Sequence, residues 1–159
     1  MSIFVLDADG LIKLTKAGVI EELAKYRKCV ITEEVFSESV KKGKERFYED
    51  AFVIEKLINR KLLALEKIKF AEIGNLGKGE ASTLALYKKK KGDAIITDDR
   101  KFLSVLEEQN IPFMVPIDVI TVLLKKRKIT RKMASEALEK IKFLTREELY
   151  IKAKSEIGD

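Results

Sequence analysis

The chain has no histidine among its 159 residues and only one cysteine, Cys29. The lack of histidine excludes serine–histidine hydrolases, histidine general bases and nearly all zinc sites. A single cysteine cannot form an internal disulfide, which agrees with a reducing cytoplasm. Any chemistry must therefore use carboxylates, lysines, hydroxyls or metals with oxygen ligands.

Long apolar runs are also missing. No stretch approaches the roughly 18 apolar residues that a membrane span requires, and the N-terminus lacks the pattern of a signal peptide. We therefore expect a cytoplasmic protein with no membrane partner. Hydrophobic residues make up 46% of the chain, enough for the core of one compact domain. No repeat, linker or low-complexity segment divides the chain, which predicts a single domain over residues 1–159.

Positive charge exceeds negative charge. Lysine and arginine number 32 against 26 aspartates and glutamates, a net charge of +6. Basic residues cluster at 41–42, 88–91 and 125–128. Such runs suit a phosphate backbone, but lysine- and glutamate-rich surfaces are also common in heat-adapted proteins. The charge therefore favours a nucleic-acid partner without requiring one.

Strand-like and helix-like segments alternate along the chain. Helical spacing includes one segment over residues 45–60, with Phe47 among its inward positions, and late helices capped by Thr130 and Thr145. The alternation predicts an α/β three-layer sandwich with a central parallel sheet of four or five strands. A helical extension is expected over about 130–159. The predicted strands lie at 2–7, 28–31, 62–68 (an edge strand), 94–97 and 111–115.

Acidic residues stand where strands end and helices begin. Asp7 follows the first strand in FVLDADGLI, and the pair Asp98 and Asp99 follows the fourth in IITDDRKF. In open α/β sheets the functional crevice lies outside the carboxyl ends of the strands. Glu38, after the second strand, and Glu80, after a glycine-rich loop, would face the same crevice. We therefore expect four or more carboxylates to meet there.

Carboxylates so close together need a compensating cation. Two of them about 4 Å apart repel by roughly 4 kcal/mol at an effective dielectric constant of 20, and without cations one or more would take up a proton. Because histidine is absent and Cys29 stands alone, the expected ion is a hard one, Mg²⁺ or Mn²⁺, bound through oxygen. Such ions activate water and neutralise phosphate charge. An acidic site in a basic molecule thus indicates a nucleic-acid substrate.

Each acid also has an ordinary structural interpretation. Asp7 and the Asp98–Asp99 pair would cap the helices that follow them. Glu80 would be a first-turn acid favoured by the helix dipole, and Glu38 would be a solvated helix residue. The hypothesis of a shared site depends on their joint placement.

Four motifs, in order, are similar to those of the PIN-domain family of metal-dependent ribonucleases, which includes the VapC-type toxins: VLDADGLIKL, VITEEVFSESV, GKGEAST and IITDDRKF. The resemblance covers about residues 3–127, and the GxGEA form is typical of a branch other than the usual toxins. Glu80 stands where many toxins carry aspartate. The resemblance implies four metal ligands: Asp7, Glu38, Glu80 and Asp99.

The same resemblance assigns roles around the fourth acid. Thr97, Asp99 and Phe102 match the family's TxDxxF pattern, so Asp99 is preferred to Asp98 as a ligand. Asp98 would be an additional ligand or would support one. The hydroxyl of Thr97 would orient water or a carboxylate.

The expected function is that of a Mg²⁺- or Mn²⁺-dependent endoribonuclease. Single-stranded RNA is favoured as the substrate, because a splayed backbone enters a narrow acidic cleft. The resemblance also raises a role as the toxin of a toxin–antitoxin pair, with an antitoxin protein as partner, and a homodimeric state.

Two other interpretations stay open on the sequence. LDADG and IITDD also fit a haloacid-dehalogenase-like phosphatase, with Asp7 as nucleophile and Asp9 as general acid, although Gly10 replaces the usual threonine or valine. The second alternative is a catalytically silent PIN domain that binds RNA or protein. The two enzymes differ over Asp9, which a phosphatase needs and a PIN nuclease should not.

Overall fold

The computed structural model describes residues 2–45 and 49–158. Within this part of the chain, five parallel strands form one sheet, which confirms the predicted α/β class and parallel sheet. The strands are β1 (Ile3–Leu6), β2 (Lys28–Thr32), β3 (Leu63–Glu66), β4 (Ala94–Ile96) and β5 (Phe113–Met114). Their order is β3-β2-β1-β4-β5, so β1 is central and β3 lies at the edge, as predicted.

Helices flank both faces of the sheet. Phe47, predicted as an inward position of a helix over residues 45–60, lies outside the described residues. The helices are α1 (Ala8–Ala17), α2 (Ile20–Tyr26), α3 (Glu33–Phe36), α4 (Lys42–Glu45), α5 (Glu49–Asn59), α6 (Lys78–Lys90), α7 (Arg100–Glu108), α8 (Pro116–Lys125), α9 (Arg131–Ile141) and α10 (Glu147–Ile157), with a π-helical turn at Ser37–Lys41 and a 3₁₀ turn at Lys142–Leu144.

Alternate side chains of the strands enter two separate hydrophobic clusters. Val5, Val30 and Ile95 pack in one cluster with residues of α6 and α7. Their chain neighbours Leu6, Ile31 and Ile96 pack in the other, larger cluster. Successive side chains of a strand point to opposite faces of the sheet, so this division accounts for the three-layer arrangement.

The close approach of α1 to the end of β4 depends on Gly10. A Cβ at this position would overlap the carbonyl oxygen of Ile96 and lie 2.8 Å from the Ile96 carbonyl carbon. The backbone N–H of Asp7 donates to the same carbonyl oxygen over 3.3 Å. Glycine at position 10 therefore lets the β1–α1 junction, which carries Asp7, lie against the end of β4.

The last two helices belong to the larger core. α9 packs against α1, and α10 packs against α8 and α9. Thr130 caps α9 by accepting a hydrogen bond from the backbone N–H of Met133, as predicted. The prediction that Thr145 caps the next helix is wrong, because Arg146 is the N-cap of α10 and makes no side-chain capping bond.

None of the helices in the described ranges combines the length and the apolar character that crossing a bilayer requires.

Candidate functional site

A cleft of about 240 Å³ lies at the carboxyl edge of the sheet. Five acids line it: Asp9, in the first turn of α1, and four acids that each come from a different part of the fold. Asp7 follows β1, Glu38 lies in the π-helical turn, Glu80 is in the first turn of α6, and Asp99 precedes α7. The structure thus brings together the four acids that the sequence pattern singled out.

Asp7 is the buried member of the set, with 2% of its surface exposed. One carboxylate oxygen accepts a hydrogen bond from the backbone N–H of Gly10 (2.8 Å), and the other accepts one from the Thr97 hydroxyl (2.5 Å). Burial raises the pKa of Asp7 to about 8, and the two hydrogen bonds oppose this rise. The negative charges of Asp9 and Glu80 are smaller contributions to the same rise in pKa.

Thr97 connects two of the acids. Its side chain is fully buried, and its hydroxyl donates to Asp7 while accepting a hydrogen bond from the backbone N–H of Asp99 over 3.2 Å. Asp99 in turn caps α7, because its Oδ1 accepts from the backbone N–H of Phe102 at 3.0 Å. The Thr97 hydroxyl therefore orients a carboxylate and also fixes the start of the loop that carries Asp99.

Glu80 is half-buried and serves two purposes. Its Oε1 accepts a hydrogen bond from the backbone N–H of Gly77 at 3.2 Å, which caps α6. Burial raises the pKa of the Glu80 carboxyl, and the neighbouring carboxylates of Asp99 and Glu38 raise it further. The helix-capping interpretation and the shared-site interpretation of Glu80 are therefore compatible.

Glu38 is the exposed member of the set and depends on a glycine for its position. A Cβ at Gly79 would overlap Oε1 of Glu38 and lie 3.1 Å from its Cδ. Gly79, in the first turn of α6, therefore leaves the space that the Glu38 carboxylate occupies. In the sequence, the GxGEA motif serves only to locate Glu80. Glycine is unfavourable inside a helical turn, so Gly79 itself was the signal that this position has a role of its own.

Asp98 is not brought into the cleft wall. Its side chain is 5% exposed and lies 3.2 Å from the ammonium of Lys13 and 3.6 Å from the guanidinium of Arg146. Its backbone N–H donates to Oδ2 of Asp9 over 3.0 Å. These contacts do not support Asp98 as a further metal ligand, whereas they agree with a supporting role for the loop at 97–99.

The sequence gives Asp9 a role only in the phosphatase interpretation, as general acid. The structure places Asp9 in the wall of the cleft. One of its oxygens accepts from Asp98, and the other lies 3.3 Å from the ammonium of Lys13. Asp9 therefore links α1 to the loop that carries Thr97 and Asp99.

The donors in the cleft fit a hard divalent cation. Over residues 2–45 and 49–158, no three aspartate, glutamate or cysteine side chains are placed so that together they could hold a metal ion. The side-chain donors in the cleft wall are nevertheless five carboxylates with no nitrogen or sulfur among them, which is the ligand chemistry of Mg²⁺ or Mn²⁺. Burial and the neighbouring carboxylates raise the pKa values of Asp7 and Glu80, and a bound cation would oppose both effects by favouring the ionised carboxylates.

Comparisons with known proteins identify the fold and the family of the chain. No curated protein matches the chain. A PilT N-terminus domain protein from the hyperthermophilic archaeon Sulfolobus solfataricus P2 has a similar structure, with a TM-score of 0.57 at 15% sequence identity over 77% of this chain and 93% of that one. At this identity the similarity shows the fold alone.

The family model of the PIN domain matches residues 3–158. This range contains all five acids of the cleft, and it extends beyond the range of about 3–127 inferred from the motifs, so that α9 and α10 are included. The chain belongs to the PIN-domain family.

Proposed function

We propose that this protein is a divalent-metal-dependent endoribonuclease whose metal ligands are Asp7, Glu38, Glu80 and Asp99. The observation that carries the proposal is the convergence of these acids on one cleft. PIN domains are generally nucleases, and the match over residues 3–158 supports this class of activity.

The residues of the chain would prepare the site in distinct ways. Gly10 and Thr97 fix both oxygens of Asp7, so its carboxylate needs little rearrangement to bind an ion. Capping bonds likewise restrain Glu80 and Asp99. A bound Mg²⁺ or Mn²⁺ would activate water and neutralise phosphate charge.

The charge distribution supports a nucleic-acid substrate. The chain carries a net charge of +6 although five of its acids line one cleft. A basic surface attracts a phosphate backbone, whereas the acidic cleft accepts the backbone only when cations are bound. Single-stranded RNA is the proposed substrate, because its backbone bends into a narrow cleft more readily than that of a duplex.

A cleavage assay on structured and unstructured RNA tests the proposal. Mg²⁺ or Mn²⁺ should support cleavage of the unstructured RNA, and EDTA should abolish it. Asp7→Asn should lower the rate more than tenfold, equivalent to about 1.4 kcal/mol or more of activation barrier. A generic phosphatase substrate should remain intact. Cleavage by Asp7→Asn at the parent rate would contradict the proposed metal-dependent nuclease.

The phosphatase interpretation loses its support. It depended on the DxD pattern of Asp7 and Asp9, and the family match assigns that segment to the PIN domain. Asp9 is also engaged by Asp98 and Lys13.

A toxin role is a second proposal, supported by the chemistry of the cleft. An antitoxin would compensate the negative charge of the cleft carboxylates with a cationic side chain in place of a metal ion. Expression of the chain alone should then stop growth, and co-expression with the antitoxin should restore it. RNA binding without cleavage in Mn²⁺ would instead favour the catalytically silent domain.

A further inference from the structure

A second groove, of about 340 Å³, lies between the loop before α6 and the outer side of α7. We call it the loop–α7 groove. The loop contributes Ile73, Gly74, Asn75 and Leu76, and α7 contributes Lys101, Ser104 and Val105.

The walls of this groove combine three kinds of side chain. Ile73, Leu76 and Val105 supply apolar surface, Asn75 supplies an amide, and Lys101 supplies an ammonium group. A nucleotide requires an apolar surface for the face of its base and a neutral group with both donors and an acceptor for the edge of its base. It also requires a cation for its phosphate.

The groove adjoins the carboxylate cleft on both sides. On the loop side, Leu76 lines the groove and the next residue, Gly77, lines the cleft. On the helix side, Asp99 lines the cleft and Lys101 lines the groove. Two residues span at most about 7 Å of chain, so one strand of nucleic acid would reach both cavities.

Unpaired cations stand at this junction. Lys78, Arg100 and Lys101 are exposed. None of them takes part in the ion pairs formed by the described residues. The first turn of α7 holds Arg100 and Lys101 and no acid, although helix dipoles favour anions at that end. These charges are therefore free to bind the anion of a ligand.

We propose that the loop–α7 groove binds the nucleotide next to the scissile phosphodiester of a single-stranded nucleic acid. The base lies against the apolar wall, and Lys101 binds the neighbouring phosphate. This inference rests on the proposed nuclease function of the cleft and adds a substrate-binding site to it.

Binding measurements test the groove without requiring cleavage. In an Asp7→Asn background with Mg²⁺, the affinity for fluorescein-labelled oligouridylate and oligodeoxythymidylate is measured by anisotropy over a range of salt concentrations. Lys101→Gln should weaken binding and reduce the slope of log affinity against log salt by about 0.7, the contribution of one phosphate contact with a single strand. The matched control is Lys132→Gln, an exposed lysine on α9, which should leave the slope unchanged.

Filling the groove provides an independent test. Ser104 is exposed, so Ser104→Phe places a ring in the groove with little effect on the core, and Ser104→Ala removes the hydroxyl without filling it. Only Ser104→Phe should weaken oligonucleotide binding several-fold. Weakening with both oligomers would assign recognition to base and phosphate, and weakening with RNA alone would add the 2′-hydroxyl. Affinities of Lys101→Gln and Ser104→Phe equal to that of Lys132→Gln would overturn the proposal.

Kinetics separate the groove from the cleft. In the otherwise unmodified protein, Ser104→Phe should raise KM for an oligonucleotide several-fold, whereas the control Lys132→Gln should leave KM for the same oligonucleotide unchanged. Cleavage with an unaltered KM would reject the groove and keep the nuclease. If the parent protein cleaves nothing but the groove substitutions still weaken oligonucleotide binding, the nuclease function is rejected and the nucleotide-binding groove is kept.

Discussion

The carboxylate of Glu38 occupies the space that a side chain at Gly79 would take. A Cβ at position 79 would overlap Oε1 of Glu38, which is the far end of a flexible, exposed side chain. Gly79→Ala should therefore displace Glu38 without disturbing the backbone. Alanine is also favoured over glycine inside a helix by about 0.5–1 kcal/mol, so the stability of the variant should hold or rise.

We expect Gly79→Ala to lose cleavage activity more than tenfold while its urea unfolding midpoint stays at or above that of the parent. The matched control is Gly77→Ala, two residues earlier, where a Cβ would lie 3.9 Å from Oε1 of Glu80, an ordinary van der Waals contact. The control should keep most of the activity. Full activity in Gly79→Ala would show that the position of Glu38 does not matter.

The protonation of Asp7 makes stability depend on pH in the metal-free protein. Burial raises its pKa from 3.8 to about 8, so the folded state binds the proton more tightly than the unfolded state. The contribution of this proton to the free energy of unfolding is complete below pH 3.8 and is lost as the pH rises through about 8. Glu80, whose pKa is also raised, adds a change of the same sign.

Urea unfolding in EDTA at a series of pH values measures this effect. The parent should lose stability between about pH 4 and pH 8 more steeply than Asp7→Asn, and at pH 9 the variant should be the more stable protein. Added Mg²⁺ should stabilise the parent most at high pH, where both carboxyls are ionised, and should stabilise Asp7→Asn less. Parallel pH profiles in EDTA would contradict the role assigned to burial of Asp7.

Asp9 distinguishes a nuclease from a phosphatase. Its Oδ2 accepts a hydrogen bond from the backbone N–H of Asp98 at 3.0 Å, and an asparagine at position 9 would keep an acceptor oxygen there. Asp9→Asn should therefore cleave RNA within about threefold of the parent rate, because the group acts by positioning rather than by proton transfer. Asp9→Ala, which removes the acceptor, should be the less stable and less active variant. A loss in Asp9→Asn as large as that in Asp7→Asn would restore the general-acid interpretation.

The fold was predictable because its signals are local and repeated. Val5, Leu6, Ile95 and Ile96 lie in short apolar strands that are followed by acids and helices, and that pattern identifies parallel strands whose carboxyl ends share one edge. The cap of α10 was not predictable in the same way. Thr145 has the residue type of an N-cap, but α10 begins at Glu147, so the N-cap position falls on Arg146.

The candidate site was predictable up to the choice between neighbouring residues. Asp7 and Asp99 follow strands, and Glu80 lies in the first turn of a helix. A sequence pattern identifies these positions because it shows where a strand ends or a helix begins. The sequence alone does not separate Asp98 from Asp99 by chemistry, since both are aspartates of one loop. Their division depends on Lys13 and Arg146, which approach Asp98 from elements distant in sequence. The π-helical turn that carries Glu38 also lacks a local signature.

The C-terminal helices should stabilise the loop of the candidate site through Arg146. Its guanidinium lies 3.6 Å from Oδ1 of Asp98, a side chain only 5% exposed, and Lys13 is the other cation beside that carboxylate. Since Arg146 itself is 33% exposed, solvent screens the pair, and Arg146→Met should lower the free energy of unfolding by about 1 kcal/mol. Arg131→Met, at the exposed start of α9, is the matched control and should have no comparable effect. A double-mutant cycle with Asp98→Asn isolates the pair: the combined loss should be smaller than the two single losses together, whereas strict additivity would mean that Arg146 acts on stability independently of Asp98.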